Sequence, residues 1–177
     1  MASMQVQKET TLDDHFNSAK QWQNGTVATM HNQTRSSMSL DRYMNWSGIP
    51  AATGSFPSTI PANGAANFTH LRDGHFGSVG GVQYSGFNAT GMKCAWIVAW
   101  QAPVENDPPL PPNRVYVTCG PKTVMDAMTW HQILMKLDTS PTDDSESDSS
   151  AKISVDAHIH DDIPNSATLL VNFNLIP

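Results

Sequence analysis

The chain has 177 residues, 10 Lys and Arg against 16 Asp and Glu, and a formal net charge of −6. Its hydrophobic share of 39% is too high for a wholly disordered chain, and its length suits one domain that buries its own core. The acidic balance argues against general nucleic-acid binding, and no run of eighteen apolar residues is present to form a membrane-spanning helix.

The opening MASMQVQKETTLDDHF lacks the apolar core of a secretory signal, so the expected setting is cytoplasmic, with the nucleus as the other possibility. Residues 10–23 read as a short helix. Thr11 caps it with Asp14 three residues on. Leu12, Phe16, Ala19 and Trp22 share one face, and Asn24-Gly25 ends it. Its polar side is not basic, so residues 1–25 read as a lead-in to the domain rather than a membrane-seeking arm.

From residue 26 the pattern turns strand-like, and residues 26–177 read as a single domain. The runs 26–31 and 37–44 come first. Pro50, Gly54, Pro57, Pro61 and Gly64 then mark a long loop region. Further strand-like runs follow at 66–70, 79–84, 93–101, 114–119, 129–137, 151–160 and 167–175. Eight to nine short strands without regular helical alternation predict an all-β protein, an antiparallel two-layer β-sandwich with the short N-terminal helix added. Both faces of CAWIVAW at 94–100 are apolar, which predicts a central strand covered on both sides, with Trp96 and Trp100 in the core. Cys94 and Cys119 read as reduced, buried thiols in neighbouring strands.

Two segments are expected to be flexible loops. Residues 103–113 hold five prolines and cannot make ladder bonds. Residues 138–150 (DTSPTDDSESDSS) contain no apolar residue and are expected to lack fixed structure, with Ser145 as a candidate phosphorylation site beside Glu146 and Asp148. Asn24, Asn32, Asn45, Asn67 and Asn88 each begin an N-x-S/T sequon. Without export they read as polar turn residues.

Three groups have the residue types for binding or chemistry. Asp156, His158, His160 and Asp162 alternate along one strand, where a pair of imidazoles with a carboxylate can hold a divalent metal. Exposed polar residues on a half-buried sheet are the plainer reading, so the expectation is no cofactor, with the metal as alternative. His70 and His75 flank Asp73, yet neither Ser55 nor Ser78 sits in a nucleophile elbow. Gly80-Gly81 resembles a bulge at a strand start more than a phosphate cradle. In RYMNWSG, Tyr43 and Trp46 could stack on a sugar ring or hold a choline-like headgroup, with Arg42 making polar contacts. An enzyme is the less favoured class.

The stretch NWSG at 45–48, the pattern IP–NG at 60–64, Phe68, His70, residues 77–86, and the run from Cys94 through Asn113-Arg114-Val115-Tyr116 resemble the plant jasmonate-induced protein family of cereals and beet relatives. The resemblance covers roughly residues 27–120 and implies a stress-induced protein without an assigned catalytic residue. By looser analogy, β-sandwiches of the aegerolysin, actinoporin and fungal fruit-body lectin kind bind headgroups or glycans through Trp, Tyr and Arg clusters. The leading expectation is therefore a non-enzymatic stress or defence protein that recognises a glycan or polar lipid headgroup. The alternatives are a metal-binding protein or metal-dependent enzyme using His158 and His160, and a structural protein that forms homo-oligomers.

Overall fold

The computed structural model describes residues 25–51, 55–72, 77–103, 112–163 and 166–176. The expected N-terminal helix, most of the proline-rich loop, Asp73 and His75 lie outside them, as does the Asp162 side chain. Eleven strands and two helices are described: β1 (Gly25–Asn32), β2 (Met38–Ser47), β3 (Ile49–Pro50), β4 (Thr59–Ile60), β5 (Gly64–Leu71), β6 (Ser78–Phe87), β7 (Lys93–Ala102), β8 (Arg114–Pro121), α1 (Lys122–Ala127), α2 (Trp130–Leu137), β9 (Asp143–Asp148), β10 (Ile153–Ile163) and β11 (Ser166–Leu175).

The strands form a six-stranded sheet, β3-β5-β1-β11-β10-β9, and a five-stranded sheet, β4-β2-β6-β7-β8. Alternation decides which side chains go inward. Ala28 and Met30 of β1, Val155 and Ile159 of β10, and Leu169, Val171 and Phe173 of β11 are buried, while their neighbours in sequence are more exposed. They meet Val82, Tyr84, Trp96, Val98, Trp100, Val115 and Val117 of the five-stranded sheet in one core. Trp96 packs edge-on to Phe173 at 6.2 Å between ring centroids, and Trp100 packs on Phe68 at 5.2 Å.

The second face of β7 is covered by helices. Ala95, Ile97 and Ala99 lie under Met125, Ile133 and Leu137, and the small alanines leave room for the helices to approach. Burying Ile133 and Leu137 stabilises this layer by roughly 1.5–3 kcal/mol each. The run at 129–137, expected to be a strand, is thus a helix. Thr129 caps it and forms a capping box with Gln132, while Ile133 and Leu137 fall one turn apart on the buried side. Helical spacing was present and was misread because the segment is short and rich in large apolar residues.

Three further expectations are corrected. The pairing is not antiparallel throughout: β1 runs parallel to β11 and antiparallel to β5. The strand count exceeds eight to nine because two-residue strands such as β3 and β4 leave little pattern in sequence. The acidic run at 138–150 is not structureless, since Asp143–Asp148 forms β9 at the edge of the six-stranded sheet, paired with β10. Its Asp144 carboxylate accepts from the Val117 amide at 2.8 Å, so an acid from one sheet closes the open edge of the other. A charged edge strand also resists pairing with further chains. Cys94 and Cys119 are buried free thiols.

Candidate functional site

The predicted trio on β2 is divided by the structure. The Arg42 guanidinium donates to Gln83 Oε1 at 2.8 Å and to the carbonyls of Met125 and Met128 at 3.0 and 2.9 Å. It also lies 4.9 Å from the centroid of the Trp130 ring. It therefore closes the C-terminal end of α1, where carbonyls lack helical partners. Trp46 meets Trp130 edge-on at 5.9 Å, and the pair lies over Gly81, where a Cβ would come within 3.0 Å of the Trp130 ring. A register shift between Asn45 and Ser47 places Trp46 there. Tyr43 faces the other way, packs on Phe56 at 5.1 Å and keeps 53% of its surface exposed. Beside Arg42, Gln83 donates to Asp126 at 2.7 Å, and Lys122 bridges Asp41 and Asp126. The Lys122 hydrogen bond holds the Asp126 carboxyl below its ordinary range.

A buried polar network that the sequence reading left unconnected joins the two sheets. Ser78 Oγ on β6 lies 2.9 Å from His70 Nδ1 on β5, 2.8 Å from Thr26 Oγ1 on β1, and receives the Trp100 indole N–H at 3.1 Å. His70 Nε2 lies 3.1 Å from Asn45 Oδ1 on β2. The tautomer with its proton on Nε2 satisfies every group: His70 donates to Asn45, Ser78 donates to Nδ1, and Thr26 and Trp100 donate to Ser78. Burial lowers the His70 pKa to about 4. The Ser-His-Asn order resembles a nucleophile, base and orienting group. Yet Ser78, His70 and Trp100 have no exposed surface, so the network fastens the sheets together.

The histidine strand has the expected alternation. Val155, Ala157 and Ile159 face the core, while Asp156, His158 and His160 lie on the outer face of the six-stranded sheet. The His158 and His160 rings stack at 4.6 Å, and His158 Nδ1 contacts Asp143. Asp156, the expected third ligand, instead accepts from the amides of Asn172 and Asn174 at 2.7 and 3.0 Å. Among the described residues no group of three or more His, Cys, Asp or Glu is placed to hold a metal. Ser145 is exposed on β9.

Two sequons form matching corners at one end of the sheets. Asn32 Oδ1 accepts from the Thr34 amide and hydroxyl, and its Nδ2 donates to the carbonyls of Ser36 and Pro61. Asn88 Oδ1 accepts from the Thr90 amide, the Thr90 hydroxyl and the Met92 amide, and its Nδ2 donates to the Ala151 carbonyl. Both asparagines are buried. This is the side-chain turn that Asn favours, and the following Thr gives the sequon spelling a structural meaning. Beside the first corner, His31, Asn32, Gln33, Asn63, Gly64 and Ala65 line an open surface hollow of about 510 Å³. Asn63 adopts a positive φ of 50°, and a Cβ on Gly64 would meet the Pro61 ring at 2.6 Å, so the turn beneath the hollow needs these two residue types.

A jasmonate-induced protein homolog from Atriplex canescens is 45% identical over 121 residues, covering 68% of this chain. The chain belongs to the jasmonate-induced protein family. The match spans 64% of that relative's own length. No family model matches the chain. Among solved structures, the lipid binding protein Nakanori superposes with a TM-score of 0.69 at 14% identity, covering 90% of this chain and 75% of that one. The Xerocomus chrysenteron lectin XCL gives a TM-score of 0.47 at 15% identity, covering 84% and 99%. At such identity the likeness to Nakanori establishes a shared fold.

In this member of the jasmonate-induced family, the residues that carried the resemblance are framework. Asn45, His70 and Ser78 build the buried network. Gly48 (φ +91°) and Gly77 (φ +83°) stand where a Cβ would strike the Leu71 and Ala102 carbonyls at 2.1 Å. Ser47 Oγ donates to the Gly77 carbonyl at 3.0 Å. Gly80 lies inside β6 instead of opening it, and accommodates the Trp100 ring.

Proposed function

We propose that the protein is a non-enzymatic, stress- or defence-associated binding module whose ligand is hydroxyl-rich, a glycan or the polyol part of a lipid headgroup. The observation that carries this reading is the hollow of about 510 Å³ beside the Asn32 corner. Its size falls in the range of small-molecule sites. Among the described residues its lining offers imidazole and amide groups and no carboxylate, guanidinium or ammonium. Such groups pair with hydroxyls as both donors and acceptors. The rigid corner beneath holds them in place before a ligand arrives, which lowers the entropy cost of binding. Among the trio on β2, exposed Tyr43 is the member left open to stack on a sugar ring, whereas Arg42 and Trp46 are engaged with Trp130 and α1. The two buried free thiols support a reducing, cytoplasmic setting for this activity.

The test is a glycan panel read by calorimetry with the intact chain, followed by His31→Ala and Gln33→Ala. Both residues are exposed, so the variants are expected to fold normally and to lose the binding of any hit about tenfold. A panel without hits, or a hit indifferent to both variants, overturns the reading.

A further inference from the structure

We propose that the end of the molecule bearing Phe87 and Met92 docks on an anionic lipid surface. This goes beyond the hollow, because it concerns a different set of residues and a different kind of contact. Phe87 and Met92 flank the β6–β7 turn, and they are 49% and 38% exposed. They are not exposed through slackness. The Asn88 side chain bonds Thr90, Met92 and Ala151. Phe87 donates its amide to Ser36 Oγ and receives the Ser36 hydroxyl on its carbonyl, both at 2.9 Å. The turn is thereby fixed with an aromatic ring and a flexible thioether facing water. Side chains of this kind partition into a membrane interface.

Cations surround the pair. Lys93 is the cross-strand partner of Phe87. Lys152 follows Ala151, whose carbonyl the Asn88 amide holds, and Arg35 precedes Ser36. All three are exposed. In a chain of net charge −6, three exposed cations are thus gathered at this end. Asp148, the acid of the adjoining β9–β10 turn, accepts from the Ser150 and Ala151 amides at 2.9 Å, so its charge is partly met by its own turn. Apolar side chains ringed by long basic ones match the layering of an anionic bilayer surface. There each nearby cation strengthens partitioning about fivefold, and the lysine stems can lie along the apolar layer.

The experiment is co-sedimentation of the full chain with phosphatidylcholine vesicles, with and without phosphatidylglycerol, alongside size-exclusion chromatography. The expected result is binding to the phosphatidylglycerol vesicles that weakens with salt. Phe87→Ser with Met92→Ser, and separately Lys93→Glu with Lys152→Glu, should each lower the bound fraction about tenfold or more with unchanged thermal melts. His31→Ala should leave vesicle binding intact, which separates this surface from the hollow. Absence of binding, equal binding to neutral vesicles, indifference to the paired substitutions, or self-association abolished by Phe87→Ser with Met92→Ser would each overturn the proposal.

Discussion

Protonation of His70 should unfasten the two sheets, and the size of the effect follows from its burial. Its pKa lies near 4 in the folded protein and near 6.5 in an unfolded chain. Between those values the unfolded state binds the additional proton, so stability falls as the pH drops. The loss begins near pH 6.5 and is complete below about pH 4. At 1.36 kcal/mol per unit it totals about 3 kcal/mol, a large part of an ordinary domain's stability. The physical reason is burial: the charged imidazolium would lose its water shell inside the core, and Ser78, which donates to Nδ1, would have to turn its hydroxyl away. The assay is urea unfolding across this pH window for the native chain and for His70→Gln. Carboxylate contributions are common to both, so the difference between the two curves isolates the imidazole. That difference should change by about 3 kcal/mol. A flat difference would refute the assignment of His70 as a buried neutral base.

Other consequences are open to direct measurement. Asn88→Ala leaves the Ala151 carbonyl and the Met92 amide without their partner, and should cost about 2–3 kcal/mol in denaturant midpoint analysis. Gly80→Ala brings a methyl to 2.6 Å from the Trp100 ring and should destabilise by about 1–3 kcal/mol with a changed near-ultraviolet tryptophan signal. Burial pushes the Cys119 thiol up to about 12, so native protein should be inert to a thiol reagent that titrates both cysteines after unfolding. Expressed through a secretory route, the chain should carry no glycan at Asn32 or Asn88 by peptide mapping, because both side chains are consumed by their turns before an acceptor could be presented.

The readable parts of the fold were those with strong local pattern. Residues 26–31, 151–160 and 167–175 read as strands and correspond to the strands β1, β10 and β11, and two apolar faces in CAWIVAW signalled a covered central strand. Helix α2 was missed because eight residues with large apolar side chains fit either period until Thr129 and Gln132 are recognised as a capping box. β9 was missed because its order comes from the Val117 amide and the β10 ladder, partners that hydropathy cannot register. The candidate site shows the same division. Arg42, Tyr43 and Trp46 lie close together in sequence, but a bulge and a pleat send Arg42 and Trp46 to Trp130 and Tyr43 to Phe56 on the other side.

From sequence alone come the β-rich class, the family and the buried tryptophans, because period-two burial and local residue types are properties of short segments. Tertiary structure alone decides that β1 joins β11 in parallel, that helices instead of a third sheet cover β7, and that Thr26, Asn45, His70, Ser78 and Trp100 converge. Their hydrogen bonds link residues from five strands, and a bond between distant segments has no counterpart in the order of the chain until the sheets have closed around it.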